Sequence, residues 1–326
     1  MSDGSIDTAR AATERGGLRA VLAALPRGDA RAVLAIVVAT SGSTYRKPGA
    51  LIVLGEGARE GWLSGGCLEA ELELAGRETL AAGAPRRVSF NTQGDDDLVF
   101  GSASGCRGEI HLLLLPVDAR APLVEALRAF DAGGAALELE LREDGAGRAA
   151  LDGRRWQWSA TFPSATSTAW SLRLAPPPRV LLLGAGPETA TLVRYAQALG
   201  WRVDAVEQRG RWHDAVRFAD SRSAAAPRDV AALAAGCDAA IVMSHHYSND
   251  RDYLAALAQV DVAFVGLLGP PARRDALLAE LGPDVGARLR PRLHAPVGLR
   301  LGGEGPEAIA LAIVAGLQQH FATAHS

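Results

Sequence analysis

Apolar runs broken by glycine clusters organise this chain. Ala32 to Ala39 is a continuous apolar run rich in β-branched residues, which predicts a buried strand. It empties into Gly42-Ser43-Thr44-Tyr45-Arg46-Lys47-Pro48-Gly49-Ala50. Before it, Leu18 to Leu25 has helical spacing and is closed by Pro26 and Gly28. Leu51 to Leu54 and Gly61 to Leu63 read as the next strands. Leu68 to Ala81 reads as a helix opening at a second cluster, Ser64-Gly65-Gly66-Cys67. One face of that helix carries Leu68, Leu72, Ala75 and Thr79. Its first turns gather Glu69, Glu71 and Glu73, where the helix dipole favours carboxylates. Arg87 to Phe90 and Glu109 to Leu115 are further strands. Between them lie Gly94-Asp95-Asp96-Asp97 and a third cluster, Gly101-Ser102-Ala103-Ser104-Gly105-Cys106-Arg107-Gly108. Pro122 to Ala132 reads as a helix and Ala136 to Leu141 as an alternating strand.

From Asp144 to Pro178 the pattern changes to turn residues with Trp156, Trp158 and Trp170, closed by Pro176-Pro177-Pro178. This predicts an edge hairpin over 144–175 and a stiff linker, with one domain over 1–175 and a second over 176–326. The tryptophans are expected to pack at a domain interface. Beyond the prolines, Arg179 to Leu183 leads through Gly184-Ala185-Gly186 into a helix reaching Leu199, and Arg202 to Val206 ends at Glu207. Strand, glycine turn, helix, strand and terminal acid make a βαβ unit of nucleotide-binding layout. Gly184 suits the tight turn, Gly186 leaves room for a diphosphate at the helix N-terminus, and Glu207 is placed for ribose hydroxyls. Thr189 stands at the usual third glycine. Strands at Ala239 to Met243 and Val262 to Leu267 alternate with helices at Arg251 to Ala258 and Arg273 to Leu281. The expected class is therefore α/β: an N-terminal α/β glycine-loop domain plus a C-terminal Rossmann-like doubly wound domain.

Composition narrows the function classes. The 326 residues are 48% hydrophobic and 22% charged, with a formal net charge of −3, so a globular fold is expected and no nucleic-acid footprint is present. The first residues lack the apolar core of a signal peptide, and no apolar run reaches the ~18 residues of a membrane helix. Three scattered cysteines suit free thiols in a reducing compartment, so a cytoplasmic protein is predicted.

The glycine clusters carry the candidate chemistry. Glycines let a backbone approach a ligand, and successive amides in such turns form anion nests. Gly42, Ser43, Tyr45, Arg46, Lys47, Gly49, Gly65, Gly66 and Arg107 are the candidate binding residues of the first domain: amides, a hydroxyl, cations and one stacking ring. The competing reading makes these clusters hairpin turns whose glycines serve only positive φ. Cys67, at a predicted helix N-terminus, and Cys106, beside Arg107, are in settings that favour thiolate, and both are candidate nucleophiles or sulfur-handling thiols. Cys237 reads as a packed core thiol. In the second domain the candidate binding residues are Gly184, Gly186 and Glu207. His245, just past a strand at the carboxyl edge of the sheet, is a candidate acid–base residue or a structural histidine. Adjacent His245 and His246 point apart on a loop, so even with Asp250 nearby no metal site is expected.

Taken in order, Gly42 to Ala50, Ser64-Gly65-Gly66-Cys67-Leu68-Glu69, Gly105-Cys106-Arg107-Gly108, Gly184-Ala185-Gly186-Pro187, Glu207-Gln208-Arg209, Val242-Met243-Ser244-His245 with Asp250, Val265 to Gly269, Ala295 to Leu299 and Pro306 to Ala310 resemble the XdhC/CoxI family of xanthine dehydrogenase maturation factors over nearly the whole chain. The chain departs from the family at Glu207, where aspartate is more usual, and at His246, where Asp or Asn is common. The resemblance implies a factor that binds the molybdenum cofactor, as molybdopterin or its dinucleotide form, and assists its sulfuration and insertion into a xanthine dehydrogenase-family molybdoenzyme. Arg209 joins the binding set on the same ground. A cysteine desulfurase is an implied partner, and a homodimer is the default assembly. Two other readings stay open. One is an NAD(P)-dependent oxidoreductase in which Gly184, Gly186 and Glu207 hold the nucleotide and His245 donates the proton. The other is a scaffold whose Rossmann domain has lost its ligand.

Overall fold

The computed structural model describes residues 16–91, 108–159 and 169–324. It contains two compact units, one over Gly17–Pro176 and one from Pro177 onward. Gly16 belongs to the second, its N–H donating to Gln197 O at 2.9 Å.

The first unit comprises α1 (Gly17–Ala23), β1 (Arg31–Gly42), β2 (Leu51–Leu54), β3 (Arg59–Glu60), α2 (Glu69–Ala82), β4 (Arg86–Asn91), β5 (Gly108–Asp118), α3 (Pro122–Ala132), β6 (Leu137–Arg142), β7 (Gly147–Leu151), β8 (Arg154–Trp158) and β9 (Ala169–Leu174). Its main sheet has the order β3-β2-β1-β5-β4 with every neighbouring pair antiparallel. The unbroken apolar run of β1 is explained by burial on both faces. Leu34, Ile36 and Val38 enter a core with α1 and α3, while Val33, Ala35 and Val37 enter a second core with α2.

One sequence expectation is extended here and another changes. The expected edge hairpin forms, β7 pairing antiparallel with edge strand β8, and it joins a separate four-stranded sheet, β8-β7-β6-β9, in which β6 pairs with both β7 and β9. Trp156, Trp158 and Trp170 pack against this unit's own core, and the Trp158 indole donates to Gly145 O at 2.8 Å. The strand expected over Gly61 to Leu63 falls instead at β3, and residues 61–68 turn because the Glu69 side chain claims amides of this stretch.

The second unit comprises β10 (Arg179–Leu183), α4 (Thr189–Ala198), β11 (Arg202–Val206), β12 (Ser221–Ser223), α5 (Ala231–Ala234), β13 (Ala239–Val242), α6 (Tyr247–Leu257), β14 (Phe264–Leu267), α7 (Pro271–Leu281), α8 (Pro283–Leu289), β15 (Leu293–His294) and α9 (Pro306–Ala324). The sheet is parallel with the order β12-β11-β10-β13-β14-β15. This is the doubly wound dinucleotide-binding order, and its ligand crevice lies where the order reverses, between β10 and β13. One face is covered by α4 and α9, the other by α5 to α8. No helix among the described residues is long and apolar enough to cross a membrane.

Candidate functional site

In the first unit, β1, β3 and β4 run in the same direction, so their carboxyl ends leave the sheet by one edge. The loop after Gly42 and the loop after Glu60 both start there. Gly108 pairs with Gly42 at the same edge. It must lack a side chain, since a Cβ would lie 2.4 Å from Ser43 O. Cys106 and Arg107 lie outside the described residues, as do Asp95, Asp96 and Asp97.

Several amides of the glycine loops at this edge already have acceptors. In the first, the Gly49 N–H donates to Val37 O at 2.8 Å and the Ala50 N–H to Lys47 O at 3.1 Å. In the second, buried Glu69 reaches back and accepts from Leu63 N–H at 3.1 Å, Ser64 N–H at 2.8 Å, Ser64 Oγ at 2.5 Å and Leu68 N–H at 3.2 Å. The Gly66 N–H is taken by Ser64 Oγ at 3.1 Å. Glu69 thus fills its own nest. Burial pushes its carboxyl pKa up, but the bonds from Ser64 and the amides prevail and hold it below the usual value.

What this edge does expose are side chains. Tyr45 is 62% exposed and Lys47 is exposed. Arg46 Nε is buried and finds no hydrogen-bond partner among the described residues. Cys67 is exposed at the start of α2, its Sγ 3.5 Å from Ser64 Oγ.

In the second unit the carboxyl ends of β10, β11 and β13 converge. Gly184, at φ +88°, lets the chain leaving β10 touch the chain leaving β13: a Cβ there would lie 2.3 Å from Ser244 Cα. Gly186 leaves its space to a neighbour, because a Cβ would meet His245 Nε2 at 2.3 Å and Glu188 Oε1 at 2.7 Å. The Gly186 N–H donates to Thr189 Oγ1 at 2.8 Å. His245 adopts φ +56°, and its Nε2 lies 3.0 Å from buried Glu188 Oε1. That hydrogen bond outweighs desolvation and raises the imidazole pKa above its ordinary value.

Glu207, also buried, accepts from Arg209 N at 2.7 Å, Nε at 2.8 Å and Nη2 at 2.6 Å. Desolvation opposes its ionisation, yet the Arg209 bonds keep its pKa below the usual value. Arg209 continues to Ser244 O and Ala185 O, both at 2.8 Å. Ser244 donates through Oγ at 2.5 Å and through N at 3.1 Å to Asp250 Oδ1, and Arg273 holds Asp250 Oδ2 at 2.6 Å. His246 Nδ1 lies 3.1 Å from Ser248 Oγ. His245, His246 and Asp250 therefore face separate partners.

Sequence reading missed Glu188 as the partner of His245, Thr189 as the acceptor for Gly186, Arg273 as the clamp on Asp250, and Glu69 as the ligand of its own loop. A carboxylate at the mouth of each glycine turn was the available signal: Glu188 follows Gly186-Pro187, and Glu69 follows Gly66-Cys67-Leu68.

Residues 27–91, which hold the first two glycine loops, match the XdhC and CoxI family. Residues 180–317, which hold the whole strand-end network, match the XdhC Rossmann domain. The chain belongs to the XdhC and CoxI family. A probable xanthine dehydrogenase subunit of Bacillus subtilis (strain 168) is 29% identical, the match covering 87% of this chain and 92% of that protein. The crystal structure of a xanthine dehydrogenase (BH1974) from Bacillus halodurans has a TM-score of 0.77 at 28% identity, covering 93% of this chain and 94% of that one. The XdhC and CoxI match thus lies in the first unit and the XdhC Rossmann match in the second.

Proposed function

We propose that this XdhC and CoxI family chain is an accessory factor for a xanthine dehydrogenase-type molybdenum hydroxylase, binding the molybdenum cofactor and handling the sulfur the cofactor receives. Family membership supports the accessory role, as do relatives of matching length that carry xanthine dehydrogenase names. The observation that carries the cofactor reading is Arg46, whose buried Nε lacks a partner among the described residues, beside exposed Lys47 and Tyr45.

A donor stranded in this way can be satisfied by an anion arriving from outside, with a charge-assisted bond. The residues therefore fit a phosphate-bearing pterin: Arg46 and Lys47 would hold the phosphate, and Tyr45 would offer its ring to the planar system. The cofactor supplies the metal chemistry when bound. Among the described residues, Cys67 is an exposed thiol at the same sheet edge. Its thiolate would attack the outer sulfur of a desulfurase persulfide, giving a Cys67 persulfide and releasing the donor thiol.

The test is to purify the protein from cells making the cofactor and to measure oxidised-pterin fluorescence. Arg46→Ala with Lys47→Ala should lower pterin retention at least tenfold, since charge-assisted hydrogen bonds contribute ~1.5–3 kcal/mol each. Unchanged retention in the folded double variant would remove the cofactor from this loop.

A further inference from the structure

The crevice between β10 and β13 has the topology of a dinucleotide site, and the groups such a ligand needs are already engaged. A dinucleotide requires an acid open to its ribose, glycine-turn amides open to its diphosphate, and empty space over the second glycine. Glu207 stands in the ribose position, but it is buried and accepts from three nitrogens of Arg209. The Gly186 N–H is committed to Thr189 Oγ1 at 2.8 Å. The space over Gly186 is filled by the His245 ring, whose Nε2 lies 2.3 Å from the position of a Gly186 Cβ. Arg209 then ties Glu207, beyond β11, to Ala185 O, beyond β10, and to Ser244 O, beyond β13. Its guanidinium spans the three strand ends that flank the reversal of strand order.

We infer that this Rossmann unit excludes nicotinamide and other dinucleotides, with Arg209 and His245 as the residues that close the crevice. Admitting a diphosphate would break the bonds from Arg209 to Ala185 and Ser244 and displace His245 from Glu188. Ribose hydroxyls reaching Glu207 would in turn have to displace Arg209, its counter-ion, from a buried carboxylate, and an unpaired buried charge is strongly unfavourable. The inference stands apart from the cofactor reading above, which places the pterin phosphate at Arg46 and Lys47 in the other unit. It does narrow that reading, because a dinucleotide form of the pterin cofactor finds no diphosphate cradle here.

The experiment titrates the full chain with NADH by nucleotide fluorescence and with NAD and NADPH by calorimetry. No saturable binding is expected, which corresponds to a Kd weaker than about 1 mM; saturable micromolar binding by the unaltered protein overturns the inference. Arg209→Ala with His245→Gly should open the crevice and raise NADH affinity at least tenfold, and glycine suits the left-handed backbone at position 245. Arg209→Lys with His245→Gly keeps a cation beside Glu207 while giving up the carbonyl bridges, so it serves if the alanine variant unfolds. Either opened variant, shown folded by circular dichroism and thermal unfolding, refutes the assignment of these two residues if its NADH affinity does not rise.

Discussion

Glu188→Gln isolates the His245 pair with little change of shape, since the amide oxygen can still accept from the imidazole. In the unaltered protein His245 Nε2 lies 3.0 Å from Glu188 Oε1, with the His245 side chain 46% exposed and that of Glu188 1% exposed. A charge-assisted bond contributes ~1.5–3 kcal/mol when shielded, and an exposed ion pair ~0.2–1 kcal/mol. The half-exposed imidazole puts this pair between those limits, at about 1 kcal/mol after screening. The pH sign follows from the raised His245 pKa. Stability from the pair is complete below the unfolded histidine value of ~6.5 and is lost as pH rises through the higher folded value. Urea unfolding at about pH 5.5 and about pH 9 should therefore show a Glu188→Gln penalty at the lower pH that shrinks at the higher one. A histidine NMR titration measures the same coupling independently. Each unit by which the His245 pKa falls in the variant corresponds to ~1.4 kcal/mol in the change of the penalty between the two pH values. A penalty that does not vary with pH, or a His245 titration identical in both proteins, would refute this account.

Gly184→Ala should be destabilising by about 2–4 kcal/mol in urea unfolding, because it forces a Cβ to 2.3 Å from Ser244 Cα at a left-handed φ; a loss under half a kcal/mol would show that the two chain exits are free to part. Glu69→Ala strands the amides of Leu63, Ser64 and Leu68 and should cost about 2–4 kcal/mol. The lowered Glu69 pKa places this stability above the unfolded carboxyl value, to be lost as pH falls through the folded one, so the penalty should shrink in acid; an equal penalty at neutral and acid pH would count against the self-filled nest. Iodoacetamide at pH 8 should label exposed Cys67 and spare Cys237, which is 5% exposed with its thiol pushed up by burial to about 11. At that pH only about one Cys237 in a thousand is thiolate, and equal labelling of the two in folded protein, read by mass spectrometry, would contradict the burial.

The sequence by itself determined most of the elements and where they break, the expected strand over Gly61 to Leu63 being an exception. The apolar run of β1, the spacing of α2 and α3, and the strand, glycine turn and helix from Arg179 to Ala198 are local signals, set by side-chain period and by glycine's access to positive φ. The same local signals put Gly184, Gly186, Glu207 and His245 at strand ends, where the fold binds ligands. They left open what those ends hold, because the partners come from distant parts of the chain: His245 from Glu188 57 positions away, Ser244 O from Arg209 35 away, and Asp250 from Arg273 23 away. Only the sheet order brings β10, β11 and β13 side by side, and only then does Arg209 have three acceptors within reach. Trp156, Trp158 and Trp170 show the same limit, since nothing in their local pattern says that β6 lies between β7 and β9. A glycine-rich turn announces that backbone amides are free to bind something. Whether they bind a ligand or a neighbouring carboxylate and hydroxyl, as at Glu69 and Thr189, is decided by burial, because an enclosed amide must be satisfied by whichever acceptor the tertiary fold brings within reach.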